Sequence, residues 1–233
     1  MVQMTKGIFA VILALLGPRP ADLPDQLQLK SGDTLVAIGD SITQQGGYLR
    51  DVDKVLAGQY PNLKIAKLIN KGIGGQKAED LVKRFDKDVI RLKPTYVTIS
   101  IGINDVWHRL AKPHDPQVLA EYRENVAKMV DLAQVAGIRV ILLTPTIIDE
   151  DPGSEGNQRL AAYVEAEKQI ASEKQCQLVD LHGMFLTVLK RGGRAARGLT
   201  KDGVHMNPPG DALMAVGLLR ALGVPDAKIA ASH

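Results

Sequence analysis

The sequence predicts an α/β fold in three layers, a parallel sheet covered by helices on both faces. Two observations predict it. From residue 30 onward, short β-rich apolar runs alternate with amphipathic runs at helical spacing. The apolar runs are nearly continuous, as in strands buried on both faces, rather than alternating as in half-exposed strands. Right-handed crossovers then give a doubly wound sheet. No linker or internal repeat interrupts the pattern, so residues 30–225 of the 233-residue chain read as one domain.

The elements follow in order. Residues 34–39 (TLVAIG) form the first expected strand, and a helix over 46–58 places Leu49, Val52, Val55 and Leu56 on one face. Residues 63–70 make the second strand. The next helix spans 77–92, with Leu81, Phe85 and Val89 aligned and Pro94 as its stop. Residues 95–102 (TYVTISIG) make the third strand, 116–136 a long helix closed by Gly137, and 138–144 (IRVILLT) the fourth strand. A helix over 157–174, a fifth strand over 177–180 and a last helix over 208–222, opened by Pro208, complete the series. The acidic run 149–156 (DEDPGSEG) reads as an exposed loop.

Composition excludes several classes. Apolar residues are 45% and charged residues 24% of the chain, the mix of an ordinary globular protein. The formal net charge is +3 with both signs interleaved, so no basic stripe points to nucleic acid. A local basic run, Lys190, Arg191, Arg194 and Arg197, reads as a solvated loop. Cys176 is the single cysteine, so no internal disulfide or metal knuckle is expected, and it reads as a small buried side chain. Residues 7–16 are almost entirely apolar. That run is too short to span a bilayer but suits the core of a signal peptide within 1–21, which predicts export to the periplasm or medium. Arg19 departs from a small-x-small cleavage site, and the alternative is an N-terminal helix that covers an apolar patch of a cytoplasmic protein. No stable membrane insertion is expected, and the oligomeric state is not readable.

In an open α/β sheet, ligands bind beyond the carboxyl ends of the strands, so chemistry belongs in the segments after each strand. Ser41 follows the first strand in Gly39-Asp40-Ser41. Taken alone it is a helix N-cap; with a base nearby it is a nucleophile. Gly74 and Gly75 follow the second strand, where a residue without Cβ lets the backbone approach a ligand. A dinucleotide fingerprint is excluded, because Lys77 stands where its third glycine belongs. Asn104 follows the third strand, and its amide suits a developing oxyanion. Trp107 beside it is core, cleft wall or a platform for a sugar ring. Asp202 and His205 lie three apart before the last helix, where a carboxylate can hold one imidazole nitrogen while the other faces the cleft. Nucleophile, base with its orienting carboxylate, backbone donor and side-chain donor together make the parts list of acyl transfer.

Gly39-Asp40-Ser41, Asn70-x-Gly72-x-x-Gly75, Gly102-x-Asn104-Asp105 and Asp202-x-x-His205 resemble, in order, the four blocks of the SGNH (GDSL-type) hydrolase superfamily. The resemblance covers roughly residues 30–222, with Ile42 in place of the leucine of the GDSL motif. It implies a flavodoxin-like sandwich on a five-stranded parallel sheet, with Ser41 as nucleophile, His205 as base and Asp202 orienting it. It further implies an oxyanion hole made by the N–H groups of Ser41 and Gly75 and the side chain of Asn104, and no metal or organic cofactor. Ile101–Trp107, Asn70–Ile73 and Thr144-Pro145 resemble the bacterial carbohydrate acetylesterases of the superfamily, the acetylxylan esterase group in particular. Gly74 and His108 depart from that group, which tends to carry Ser and Arg there, and both lie near the expected cleft.

The expected activity is therefore a serine carboxylic-ester hydrolase acting on a small-molecule or oligosaccharide ester, with acetylated xylan or oligosaccharide first and short aryl or alkyl esters as further substrates. Asp40, Trp107, His108 and Val204 are the expected substrate-side residues. Three alternatives stand beside this. One is a lysophospholipase or thioesterase of the same superfamily. Another is a metal-dependent phosphoesterase using Asp40, Asp105, Asp202 and His205 as ligands. The last is a catalytically silent carbohydrate-binding protein on the same scaffold.

Overall fold

In the computed structural model, which describes residues 7–64 and 67–232, five parallel strands lie in the order β2-β1-β3-β4-β5. Chain order is α1 (Ile8–Leu16), β1 (Thr34–Gly39), α2 (Ser41–Gln45), α3 (Gly47–Gln59), β2 (Lys67–Gly72), α4 (Ala78–Asp88), β3 (Tyr96–Ser100), α5 (Ile103–Trp107), α6 (Pro116–Val135), β4 (Arg139–Leu143), α7 (Glu155–Lys174), β5 (Gln177–Val179), α8 (Leu181–Gly192), α9 (Pro208–Ala221) and α10 (Asp226–Ala230). Helices α4, α6 and α7 pack side by side on one face; α3, α8 and α9, with α1 against them, cover the other. The middle strands are sealed: Val36, Ala37 and Ile38 of β1, Val97 and Ile99 of β3, and Ile141 and Leu142 of β4 are fully buried. This is the three-layer fold that the unbroken apolar runs require.

Register places the chemistry. Gly39 pairs with Gly72 on one side and with Ser100 on the other, so β2, β1 and β3 end at one level. The chain leaves β1 for one neighbour and later returns to the other side, so this level is also where strand order reverses. The two glycines let α2 sit down on the strand ends. A Cβ on Gly72 would lie 2.1 Å from the Gln44 nitrogen, a contact that no side chain survives.

Several expectations are corrected. The helix expected over 46–58 is found as α3, and a short helix that was not expected, α2, precedes it; Gly46, at φ 64, caps α2 and opens α3. The N-cap of α2 is Asp40, whose carboxylate accepts the Ile42 N–H at 2.9 Å, so Ser41 is the first helical residue rather than the cap. The second strand begins at Lys67, later than residue 63, and ends at Gly72; residues 65–66 lie outside the described residues. Among the described residues it is an edge strand paired only with β1, and it is half-exposed, which a uniform reading of buried strands misses. The helix expected to reach residue 92 ends at Asp88 and is followed by a 3-10 turn, Ile90–Leu92, that runs to Lys93 at φ 46 before Pro94.

The basic run is not a loop. Lys190 and Arg191 form the last turn of α8, and Arg194 lies in a 3-10 turn, Gly193–Ala196. Leu181, Phe185, Val188 and Leu189 bury one face of that helix. The Arg191 guanidinium donates to the carbonyls of Leu15 and Leu16 at 2.9 and 3.2 Å, tying down the C-terminus of α1. Helix α1 itself buries Phe9 and Ile12 against α8, α9 and α10. Cys176 is half-buried rather than buried, and that partial burial still pushes its thiol up to about 11. No described helix is long and apolar enough to cross a membrane.

Candidate active site

Ser41 stands at the first position of α2, directly after β1. A first helical N–H has no intrahelical acceptor, and that of Ser41 has no backbone partner among the described residues. The Ser41 hydroxyl meets His205 Nε2 at 2.8 Å, and His205 Nδ1 meets Asp202 Oδ2 at 2.7 Å. The other Asp202 oxygen accepts the backbone N–H groups of Val204 and His205 at 3.0 and 2.8 Å. Burial raises the Asp202 carboxyl, but the two backbone N–H groups and the His205 ring outweigh it and lower the group to about 2. Asp202 is thus an ionised, fully engaged acceptor across the physiological range, with His205 Nδ1–H as its donor. That tautomer leaves Nε2 free to take the serine proton.

The loop that carries these residues is closed on itself. Thr200 bridges Met206 in antiparallel fashion, Lys201 N–H donates to the His205 carbonyl at 2.8 Å, and Asn207 N–H donates to Leu199 at 2.8 Å. Glu150 clamps it from outside, accepting from the N–H groups of Gly198 and Thr200 at 2.7 Å each and from the Thr200 hydroxyl at 2.9 Å. Asp149 N–H donates to the Gly203 carbonyl at 2.8 Å. Buried Asn157 holds this acidic segment in place, donating to the Asp149 and Asp151 carbonyls and accepting from Ile148 N–H. The segment after β4 therefore braces the loop that carries Asp202 and His205.

On the other side, Asn70 links β2 to α2: its amide donates to the Thr43 carbonyl at 2.6 Å while its oxygen accepts Gly72 N–H at 2.8 Å. Gln44 accepts the Gly74 N–H at 2.9 Å, and a Cβ on Gly74 would lie 3.7 Å from the Ser41 Cβ. Gly74 is therefore beside the serine, and Gly75, at φ 76, turns next to it with its N–H unpartnered among the described residues. Asn104 is buried and donates one amide hydrogen to the Gln76 carbonyl at 3.0 Å, keeping the second for another acceptor.

The other expected residues divide. The Trp107 ring, half-buried against the core, stands edge-on to the His205 ring, 5.9 Å between centroids, and leans on His108 at 5.6 Å. His108 is exposed, and Val204 is buried. The Asp40 carboxyl is buried as the α2 cap, and burial pushes it up to about 6. Burial likewise pushes Asp105 up to about 7, where it accepts the Ala78 N–H at 3.4 Å from below the loop. Asp40, Asp105, Asp202 and His205 do not form a ligand set. Among the described residues, no cluster of three or more His, Cys, Asp or Glu side chains could hold a metal ion. The residues that sequence reasoning passed over are Glu150, Asn157, Gln44 and Gln76. Each is a polar residue in a loop or helix end, and only its partners distinguish it.

A serine hydroxyl bonded to a histidine, with N–H donors on the neighbouring strand ends, can carry out acyl transfer. Residues 37–213 match the GDSL-like lipase/acylhydrolase family. The chain is 34% identical over 215 residues to an acetylxylan esterase of Geobacillus stearothermophilus, covering 84% of this chain and 97% of that protein. It is 27% identical over 199 residues to a human isoamyl acetate-hydrolyzing esterase 1 homolog, covering 76% of each. Among solved structures, a catalytic mutant of Axe2, an acetylxylan esterase from Geobacillus stearothermophilus, superposes with TM-score 0.77 at 33% identity, over 86% of this chain and 98% of that one. An α/β hydrolase from the Lake Arreo metagenome superposes with TM-score 0.75 at 28% identity, over 84% and 97%. The fold, the four sequence blocks and these matches agree: the chain belongs to the GDSL-like lipase/acylhydrolase family and is a carboxylic ester hydrolase.

Proposed function

We propose that the chain removes acetyl groups from carbohydrate esters through an acyl-enzyme on Ser41. The observation that carries this reading is the relay from Ser41 Oγ to His205 Nε2 at 2.8 Å and from His205 Nδ1 to Asp202 at 2.7 Å. His205 takes the serine proton as Ser41 attacks the ester carbonyl. The Ser41 and Gly75 N–H groups and the second amide hydrogen of Asn104 stabilise the oxyanion. His205 then protonates the leaving alcohol, and a water activated by the same nitrogen releases the acid.

The acetyl and carbohydrate parts of the proposal are supported by the acetylxylan esterase relative, and short alkyl esters by the isoamyl acetate-hydrolyzing one. Catalytic mutants of Axe2 replace a serine, an aspartate and a histidine by alanine, the last two three positions apart, as Asp202 and His205 are. Trp107 beside His205 supplies a wall for the alcohol side. Export remains part of the proposal on the strength of residues 7–16; the seat of α1 on α8 and α9 supports instead a retained helix. The intact mass of protein recovered from the culture medium or periplasm decides between them.

The test is hydrolysis of p-nitrophenyl acetate, p-nitrophenyl octanoate and acetylated xylo-oligosaccharide by wild type and Ser41→Ala, with and without a chelator. Turnover should be unaffected by the chelator, highest on the sugar ester, and lower by ~10⁴-fold or more in Ser41→Ala. Turnover that survives Ser41→Ala and stops with the chelator overturns the serine mechanism. An octanoate rate above the acetate rate moves the reading to a longer-chain acylhydrolase.

A further inference from the structure

Arg84 lies on α4, outside the four sequence blocks, and its side chain is 12% exposed. Its guanidinium reaches three places at once. Nε donates to Gln76 Oε1 at 2.7 Å, Nη2 donates to the Gly39 carbonyl at 3.1 Å, and Nη1 donates to Asp88 Oδ2 at 2.9 Å. Asp88 is also held by Lys71 Nζ of β2 at 3.2 Å. Burial raises the Asp88 carboxyl, but the bonds from Arg84 and Lys71 outweigh it and lower the group below the ordinary carboxylate range. The arginine charge is thereby compensated inside the fold, and two of its three donor edges are spent on backbone or side-chain acceptors of the active-site segments.

Both acceptors adjoin the reactive residues along the chain. Gly39 is the last residue of β1, and the next residues are Asp40 and Ser41. Its carbonyl also accepts the Ile73 N–H at 3.1 Å, so the end of β1 and the turn into Gly74-Gly75 share one oxygen with Arg84. Gln76 follows Gly75, and its own carbonyl accepts the Asn104 amide at 3.0 Å. One planar fork thus touches the residue two before Ser41, the residue after Gly75, and through Gln76 the side chain of Asn104. We propose that Arg84 is a positioning residue that sets the mutual distances of the three oxyanion donors. The proposal rests on the serine mechanism proposed above. It needs a fork: a lysine places one charge in the same space but cannot serve Gly39, Gln76 and Asp88 in fixed directions.

A purely structural Arg84 would staple α4 to the sheet, and its loss would lower stability and nothing else. The experiment therefore separates transition-state stabilisation from folding. Arg84→Met, Arg84→Lys and Gln76→Met are compared with wild type for kcat and KM on p-nitrophenyl acetate. Inhibition by a small alkyl boronic acid, which forms a tetrahedral adduct on the serine, and the melting temperature are measured alongside. Arg84→Met should lose about 10- to 100-fold in kcat, in keeping with donors displaced by a fraction of an ångström. Its KM should stay within about twofold, and the boronate should bind more weakly by a similar factor. Arg84→Lys should recover most of the melting temperature but not kcat. Gln76→Met, at a half-exposed position, should lose about 3- to 10-fold in kcat with little change in melting temperature.

If Arg84→Met and Arg84→Lys fall in melting temperature while kcat and boronate affinity hold, the residue is a staple and the proposal is wrong. A kcat loss with unchanged boronate affinity also overturns it, because the effect then does not pass through the oxyanion donors. If Arg84→Met does not fold, Arg84→Lys and Gln76→Met decide by the same criteria. Wild-type turnover that survives Ser41→Ala sinks the serine mechanism and this inference with it; a dead Ser41→Ala beside a fully active Arg84→Met sinks this inference alone.

Discussion

The serine half of the site and the histidine half are built on different principles. Ser41, Gly75 and Asn104 follow β1, β2 and β3, three adjacent strands whose ends stand level by sheet register. Their supports are buried: Asp40, Asn104 and Asp105 are each 5% exposed or less. His205 and Asp202 follow no strand. Their loop closes on itself and is clamped by Glu150 from the acidic segment after β4, with the Asp202 side chain 48% exposed. The serine side is positioned by the sheet, and the histidine side by one loop gripping another. The first kind of positioning is shared among three strand ends and the side chains that tie them together; the second rests on one contact between loops, which can be loosened alone.

The two halves also titrate in opposite senses. On the serine side, burial raises Asp40 to about 6 and Asp105 to about 7. Below about pH 4 these carboxyls are protonated in both folded and unfolded chains. As pH rises toward 7, the unfolded chain releases those protons first, so their contribution to stability is lost across that window. On the histidine side, Asp202 is lowered to about 2, and its contribution is present above about pH 4 and lost as pH falls toward 2.

The two halves are told apart most directly at the oxyanion. Asn104→Ala should cost on the order of 10²–10³ in kcat, with KM nearly unchanged. A fully active variant would remove Asn104 from the hole. Loosening the loop clamp should cost less: Glu150→Ala leaves three donors in the 198–200 segment without their acceptor. A loss of about tenfold in kcat is expected, with faster amide exchange in 198–207 and none in β1 or β3. Exchange that quickens equally in the strands would show that the two halves are not independent. A third distinction is read in pH dependence rather than in turnover. Asp105→Asn keeps an acceptor for Ala78 N–H and removes a titrating group, so urea unfolding at pH 4.5 and 7.5 should give a flatter dependence than wild type, by on the order of 1 kcal/mol per pH unit. An unchanged slope would mean that Asp105 does not hold its proton in the folded chain.

The difference between the halves also explains what was legible in the sequence. Ser41, Gly75, Asn104, Asp202 and His205 could be picked out because each falls at a strand end or loop and carries a residue type that chemistry restricts. Glu150, Gln76 and Arg84 carry no such restriction. A glutamate in an acidic loop and an arginine on an amphipathic helix look like solvated surface until their partners, 48 to 50 residues away for Glu150 and 45 for Gly39, are known. Helix α8 was hidden for a related reason: its basic last turn reads as loop, while Arg191 is in fact committed to the α1 carbonyls.

Sequence alone determined the layer architecture, the strand count and which polar residue types stand at the strand ends, because apolar periodicity and side-chain chemistry are local properties of the chain. Tertiary structure alone decided strand order, the level at which β2, β1 and β3 end, and which polar groups brace the reactive ones. Those are properties of long-range pairings. Hydrogen bonds between segments far apart in sequence leave no periodic trace along it, and only the packed core brings their partners within reach.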